Sequence, residues 1–162
     1  MVRAVFAVTT IGLTCGLLLV LTERFTAADI ARNRDAEARA LLEQLLQQPL
    51  PADTDLQAEL FGNCDAWVMQ RIEVVGYAGA IDLRVLWRPG DRLSMRVVSH
   101  RETPGIGDFI DHRRDPWITA LDQKTAQSIA ELDAVSGATI TTRAIQRAAR
   151  ETLQRQQAYC YE

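Results

Sequence analysis

The sequence predicts an α+β fold: a single N-terminal transmembrane helix followed by a small domain with an antiparallel sheet and flanking helices. Three observations lead to it. They are a charge-free apolar run at the N-terminus, two alternating segments joined by a proline–glycine turn, and a loop of small residues before a C-terminal helix. The 162 residues suffice for one domain. Charged residues make up 24% and the net charge is −3, which disfavours disorder and nucleic-acid binding.

The apolar run covers the 19 uncharged residues between Arg3 and Glu23. A helix of that length spans roughly 28 Å, close to the thickness of a bilayer core. A cleaved signal peptide, with Thr26–Ala28 near the cleavage site, and a buried helix of a soluble protein are the alternatives. The run is longer than a signal peptide's apolar core and shows no polar face, so a retained membrane anchor is favoured.

The orientation of this anchor is weakly encoded. Arg3 and the free amino group precede the run, whereas Glu23 and Arg24 cancel each other just after it. The positive-inside rule therefore predicts a short cytoplasmic N-terminus, with the rest of the chain outside the cytoplasm and the anchor in contact with membrane lipid.

A second helix is expected over residues 23–48, with leucines on one stripe towards its end. Pro49 and Pro51 end it, so residues 49–55 form a hinge. The predicted organisation is therefore an anchor over residues 1–22, a juxtamembrane helix and hinge over 23–55, and a domain over 56–162.

The domain opens with alternating segments. Residues 67–74 suggest a first strand, and residues 81–88 and 93–98 alternate apolar with polar side chains, as half-buried strands do. Between the last two lies Arg88-Pro89-Gly90-Asp91, a sequence that favours a type II turn. Pro116 and Trp117 open a short helical stretch, and a longer helix is expected over residues 141–157, with Thr141 or Thr142 as its N-cap.

Several kinds of site are poorly supported. His100 and His112 are too few for a metal site, and Asp108 and Asp111 fit solvated loop charges. No nucleophile elbow, phosphate-binding loop or Cys-x-x-Cys pattern is present. Cys64 and Cys160 fall in the part placed outside the cytoplasm, where a disulfide can form, but two cysteines provide no spacing pattern that requires one.

The segment from Asp133 to Thr139 points to a phosphate ligand. Ser136, Gly137 and Ala138 are small and leave the hydroxyl of Thr139 accessible just before a helix N-terminus. The free N–H groups and the positive end of the helix dipole favour a phosphate there. A simple loop-to-helix connection is the alternative, and both can hold at once.

Three segments, in this order, resemble motifs of the FMN-binding domain family. Gly76–Ile81 is similar to its GY-x-G-x-I segment, and His100–Asp108 is similar to its H-x-E-T-P-G-L-G-D loop, with Ile106 in place of leucine. Asp133–Thr139 resembles the D-x-x-S-G-A-T flavinylation motif. With the N-terminal anchor, the chain resembles the G subunit of Rnf ion-translocating oxidoreductase complexes.

This resemblance implies an electron-carrier subunit of a membrane complex that couples ferredoxin- and NAD-linked electron transfer to ion translocation. FMN would be attached covalently through a phosphoester to Thr139 by a flavin transferase, and the subunit alone would have no turnover. The implied cofactor-binding residues, besides Thr139, are Asp133, Ser136, Gly137, Ala138, Glu102, Thr103, Pro104, Gly105, Gly107, Tyr77 and Gly79.

The resemblance also favours a disulfide between Cys64 and Cys160. Two other interpretations stay open. The chain would then be a component like the C subunit of a sodium-pumping NADH:quinone reductase or an FMN-domain regulator, or it would be a structural membrane subunit with a vestigial flavin site.

Overall fold

The computed structural model describes residues 2–161, which form two compact units, one ending at Arg39 and the other beginning at Ala40. The first helix, α1, runs without a break over Val2–Leu46. The two helices expected from the sequence are therefore one, because nothing between the apolar run and the charged segment, neither proline nor glycine, interrupts the backbone.

The first unit consists of α1 up to Arg39. Among the described residues one helix is long and apolar enough to cross a membrane, and its most apolar stretch is fully exposed. Threonine hydroxyls along it, such as those of Thr10 and Thr14, donate to the carbonyl four residues earlier and so satisfy their own polar groups. Gly12 and Gly16 have open space around them.

The second unit contains a five-stranded antiparallel sheet of strands adjacent in sequence. Its strands are β1 (Leu60–Asn63), β2 (Trp67–Val75), β3 (Ala80–Arg88), β4 (Arg92–His100) and β5 (Lys124–Thr125). Two further helices follow, α2 (Ala126–Ala130) and α3 (Thr139–Tyr161), and two short 3-10 turns lie over Asp108–Ile110 and Thr119–Leu121. The predicted membrane helix, antiparallel sheet and flanking helices are confirmed.

The β3–β4 hairpin contains the predicted proline–glycine turn. Arg88 pairs with Arg92, so the loop has three residues. Gly90 has the positive φ of +81° that a type II turn requires, and Asp91 follows with φ +54°. The additional left-handed residue turns the chain back into β4.

One face of the sheet packs against α2 and α3. Its core side chains come from alternating strand positions and from the small residues of α3, among them Ile72, Leu83, Val85, Met95, Ala144 and Ala148. Because alanines face the sheet, α3 lies close to it. Ile110 and Ile118, from the chain between β4 and β5, also belong to this core.

The opposite face of the sheet is also covered, although the alternation predicted half-buried strands. Leu42, Leu45 and Leu46 at the end of α1 and Leu50 after it cluster with Met69 of β2 and Leu86 of β3. The leucine stripe seen in the sequence is therefore part of the domain core. The compact unit accordingly begins at Ala40, because these leucines bury their side chains on the sheet.

α1 ends two residues earlier than predicted. Gln47 adopts φ +60°, the left-handed conformation of a helix C-terminus, and its N–H donates to the carbonyl of Glu43 at 2.8 Å. The side chain of Glu43 also accepts from the N–H of Leu50 at 3.2 Å. Pro49 and Pro51 then follow outside the helix, as prolines after a C-cap commonly do.

A disulfide joins Cys64, in the β1–β2 turn, to Cys160 near the end of α3, with the two Cα atoms 5.7 Å apart. It links residues 96 positions apart and ties the C-terminal end of α3 to the sheet. Cys15 of α1 is a free, exposed cysteine.

Candidate functional site

Two of the segments singled out in the sequence and the start of α3, which follows the third, meet at the buried side chain of Glu102. Glu102 follows β4 and is 6% exposed. Its Oε1 accepts a hydrogen bond from the N–H of Ala78 at 3.1 Å. Its Oε2 accepts from the hydroxyl of Thr141 at 2.6 Å. A single carboxylate therefore connects the β2–β3 loop, the loop after β4 and the first turn of α3.

Two glycines make room for Glu102. A Cβ at Gly76 would lie 2.3 Å from Glu102 Oε1, and a Cβ at Gly107 would lie 2.2 Å from Glu102 Cβ. Neither position tolerates a side chain without displacing the carboxylate. Gly76 also closes the β2–β3 loop, because its N–H donates to the carbonyl of Gly79 at 2.8 Å. The glycines thus fix where the carboxylate lies.

The loop after β4 is a tight turn. The N–H groups of Ile106 and Gly107 both donate to the carbonyl of Thr103, at 3.1 and 2.8 Å. Gly105 has φ +84° with nothing within 4 Å of its would-be Cβ, so backbone conformation alone requires glycine there. Thr103, Pro104 and Gly105 are exposed.

The side chain of Asp108 stabilises this turn. It accepts from the N–H of Gly105 at 3.0 Å and from the guanidinium of Arg114 at 2.9 Å. The Gly105 N–H, followed by Arg114, holds the pKa of the Asp108 carboxyl below its ordinary value.

Asp111 behaves similarly nearby. Burial alone would raise its pKa, but the N–H and guanidinium of Arg113 donate to its carboxylate, and the net shift is downward. Asp108 and Asp111, which the sequence assigned to solvated loop charges, thus both organise the loop.

The segment before α3 is held by Thr142. The Thr142 hydroxyl donates to the carbonyl of Ala138 at 3.0 Å and accepts from the N–H of Val135 at 3.2 Å. Between these two residues Gly137 has φ +78°, and the N–H of Ala138 donates to the carbonyl of Val135 at 2.9 Å. The loop is therefore fixed from within the first turn of the helix.

Thr139 is the first residue of α3, and its side chain is exposed. Neither Thr141 nor Thr142 is the N-cap that the sequence predicted. Both are buried inside the first turn, because their hydroxyls are needed by Glu102 and by the loop. The first intrahelical bond joins the N–H of Thr142 to Ala138, so the N–H groups of Thr139–Thr141 have no intrahelical acceptor.

The hydroxyl of Thr139 makes no hydrogen bond to any residue within 2–161. Ser136 and Gly137 beside it are exposed and Ala138 is buried. The arrangement can receive a phosphate: an accessible hydroxyl stands at the positive end of a 23-residue helix.

Exposed apolar side chains flank each segment that Glu102 connects. They are Tyr77, Ile106 and Ile140, which are 71%, 57% and 53% exposed. Each neighbours a residue that contacts Glu102, namely Ala78, Gly107 and Thr141. Each of the three elements joined by Glu102 therefore carries an exposed apolar side chain.

Of the remaining predicted site residues, Asp133 is exposed and makes no ion pair or hydrogen bond within the described part of the chain, and Gly79 has φ +144°. The structure adds Gly76, Ala78, Thr141 and Thr142. Gly76 and Ala78 lie inside the GY-x-G-x-I segment. The sequence therefore showed the motif, but it did not show that these two residues lie against Glu102. Residues 2–161 contain no group of three or more metal-ligating side chains.

The sequence model of the FMN-binding domain family matches residues 76–154, which include all three connected segments. The G subunit of the ion-translocating oxidoreductase complex of Pseudomonas aeruginosa (strain UCBPP-PA14) is 34% identical, over 84% of this chain and 79% of that protein. The chain belongs to the G-subunit family of ion-translocating oxidoreductase complexes.

Other members of the G-subunit family agree. The Stutzerimonas stutzeri protein is 32% identical over 88% of this chain and 76% of its own length. The Photorhabdus laumondii protein is 30% identical over 92% and 84%. These matches extend well beyond residues 76–154, the segment matched by the FMN-binding domain model.

Proposed function

We propose that this chain is the electron-carrier subunit of an ion-translocating oxidoreductase complex and that it carries FMN as a phosphoester on Thr139. Membership of the G-subunit family supports the complex, and the match to the FMN-binding domain supports the cofactor. The observation that carries the covalent linkage is the exposed, unbonded hydroxyl of Thr139 at the N-terminus of α3.

The chain's own residues would hold the phosphate end of the cofactor. In the esterified chain the Thr139 oxygen would replace one oxygen of the FMN phosphate, so that the chain would gain the mass of FMN less one water. The N–H groups at the start of α3 stabilise the negative phosphodiester, and the helix dipole contributes in the same direction. Glu102 keeps the helix start, the β2–β3 loop and the Thr103–Gly107 turn in register. Bound FMN would supply the redox chemistry, accepting and passing on electrons.

The ring would rest on the apolar surface beside Thr139. Tyr77, Ile106 and Ile140 offer this surface, and the exposed loop residues Thr103, Pro104 and Gly105 form its edge. Gly79, Gly107, Ser136, Gly137, Ala138 and Asp133 would shape the backbone around it. A covalent tether suits a cofactor outside the cytoplasm, because a dissociated FMN would diffuse away.

The partners and location follow from the same proposal. Residues 1–22 would anchor the chain in the bacterial inner membrane, residues 23–55 would connect the anchor, and residues 56–162 would be periplasmic. The candidate membrane helix supports the anchor. Arg3 before the apolar run favours a cytoplasmic N-terminus and hence a periplasmic domain. A flavin transferase acting on that side, membrane lipid and the other subunits would be the partners.

The linkage is tested by mass spectrometry of the full chain expressed with a flavin transferase. The peptide that contains Thr139 should carry a mass increase equal to FMN less one water. Thr139→Ala should abolish both this adduct and in-gel flavin fluorescence, while Thr26→Ala, at an exposed threonine of α1 outside the site, should retain them. An adduct on another residue, or none where the transferase is active, would contradict the proposal.

A second test distinguishes an electron-carrier subunit from a structural subunit with a vestigial flavin site. Reduction of the purified complex by its physiological donor should bleach the flavin of this subunit within one turnover. If the FMN on Thr139 stays oxidised while the other cofactors are reduced, the subunit is structural.

A further inference from the structure

The exposed face of α3 carries three arginines in line with Thr139. Arg143, Arg147 and Arg150 are all exposed. At 100° per residue, Thr139 and these three positions fall within an arc of about 80° on the helix surface. At 1.5 Å per residue, this basic strip reaches about 16 Å from Thr139 to Arg150. We call Arg143, Arg147 and Arg150 the α3 strip.

The charge of the α3 strip is not neutralised. None of its members has an acidic partner among residues 2–161, and its single hydrogen bond runs from Arg147 to the carbonyl of Val75 at 3.4 Å. α3 contains four arginines and one acidic residue, Glu151, although the whole chain has a net charge of −3. Positive charge is therefore concentrated on this helix.

Folding does not require this arrangement. Like charges at spacings of three and four residues, as between Arg147 and its neighbours in the strip, destabilise a helix. The core-facing side of α3 is made by other residues, such as Ala144 and Ala148. The strip thus costs stability and is better explained by an interaction.

The chemistry of the strip favours a protein partner. Guanidinium groups bind carboxylates in a bidentate way and keep their charge at all physiological pH values. Helices that lie on a membrane surface place Trp, Phe or Leu beside the basic residues, whereas positions 143–150 of α3 place only alanine, isoleucine and glutamine between the arginines. Of these, Ala144, Ile145, Ala148 and Ala149 are buried in the core.

We infer that the α3 strip is the docking surface for an acidic face of the redox-partner subunit that exchanges electrons with the flavin on Thr139. The inference rests on the proposed function. Because the strip begins one helical turn from Thr139, a partner bound to it would lie next to the flavin. Complementary charge at that place raises the encounter rate and orients the partner.

The test compares two double variants of the flavinylated full chain in detergent. Arg143→Gln with Arg150→Gln removes two charges from the strip. Arg34→Gln in α1 with Arg155→Gln in α3 removes two exposed charges outside the arc and is the matched control. Arg147 is left intact, because it also hydrogen-bonds to Val75. Each protein is titrated into complex purified without this subunit, at low and at high salt.

The strip variant should bind the depleted complex about tenfold more weakly at low salt, and the difference should vanish at high salt. The control should change less than about twofold. Equal loss in both variants, or no loss in the strip variant, would overturn the inference.

Two further measurements distinguish other occupants. If the strip variant loses covalent FMN, the strip serves the flavin transferase, and the inference is wrong. If it loses binding to phosphatidylglycerol vesicles but keeps its affinity for the depleted complex, the strip serves lipid, and the inference is again wrong. Absence of FMN from the wild-type chain would instead refute the proposed function, because affinity is measured independently.

Discussion

The carboxylate of Glu102 accepts a hydrogen bond of 2.6 Å from the hydroxyl of Thr141, a residue 39 positions later in the chain. Its other oxygen accepts from the N–H of Ala78. Thr141 lies two residues beyond Thr139. The bond therefore sets the position of the proposed flavin-attachment residue relative to the two loops beside it.

Replacing Thr141 by valine should destabilise the chain by about 2 kcal/mol, because it leaves a buried carboxylate oxygen without its donor. Thr141→Ser retains the hydroxyl and should cost less than about 1 kcal/mol. Chemical unfolding of the full chain in detergent measures both. We also expect Thr141→Val to lower the fraction of chains that carry FMN, and equal flavin content in the two variants would argue against a positioning role.

Two glycines in one turn should respond differently to alanine. Gly105→Ala meets no atom within 4 Å but must adopt φ +84°, which should cost about 1–2 kcal/mol. Gly107→Ala would place a Cβ 2.2 Å from Glu102, so it should cost about 3 kcal/mol or more. Thermal unfolding midpoints compare the two. A smaller effect at Gly107 would show that Glu102 can move away.

The disulfide between Cys64 and Cys160 should stabilise the domain by about 4–5 kcal/mol, since it closes a loop across 96 positions. The double variant Cys64→Ala with Cys160→Ala should lose this stability in chemical unfolding. Cys15→Ala, which removes the free cysteine, is the control. Covalent FMN should be retained, because Thr139 and Cys160 lie about 30 Å apart along α3. Loss of FMN at a temperature where the variant is folded would contradict this.

Acid should weaken the Thr103–Asp115 region through Asp108 and Asp111. Their folded-state pKa values are lowered, so their contribution is present above the ordinary Asp pKa of about 4 and is lost as the pH falls through the folded-state values. Asp111→Asn should therefore destabilise the chain at pH 7 and progressively less below pH 4. Asp133→Asn, at an exposed residue that makes no ion pair or hydrogen bond within residues 2–161, is the control. A pH-independent difference for Asp111→Asn would contradict the assignment.

The sequence by itself determined the elements whose signals are local. The run of 19 uncharged residues specifies a helix that can cross a membrane, and the alternation around Pro89 and Gly90 specifies the β3–β4 hairpin. The three small-residue motifs identified the family, because their spacing and order are a property of the chain alone. The third of these motifs also pointed to Thr139 as the proposed flavin-attachment residue.

The tertiary structure decided what depends on distant residues. The strands β1 and β5 have four and two residues, too few for periodicity to be recognised. The leucines at the end of α1 looked like part of a juxtamembrane helix, yet they cover the second face of the sheet. The bond from Glu102 to Thr141 joins residues that no local pattern relates. Local signals arise from backbone geometry over a few residues, whereas a buried carboxylate finds its donors only once the sheet and helices have packed.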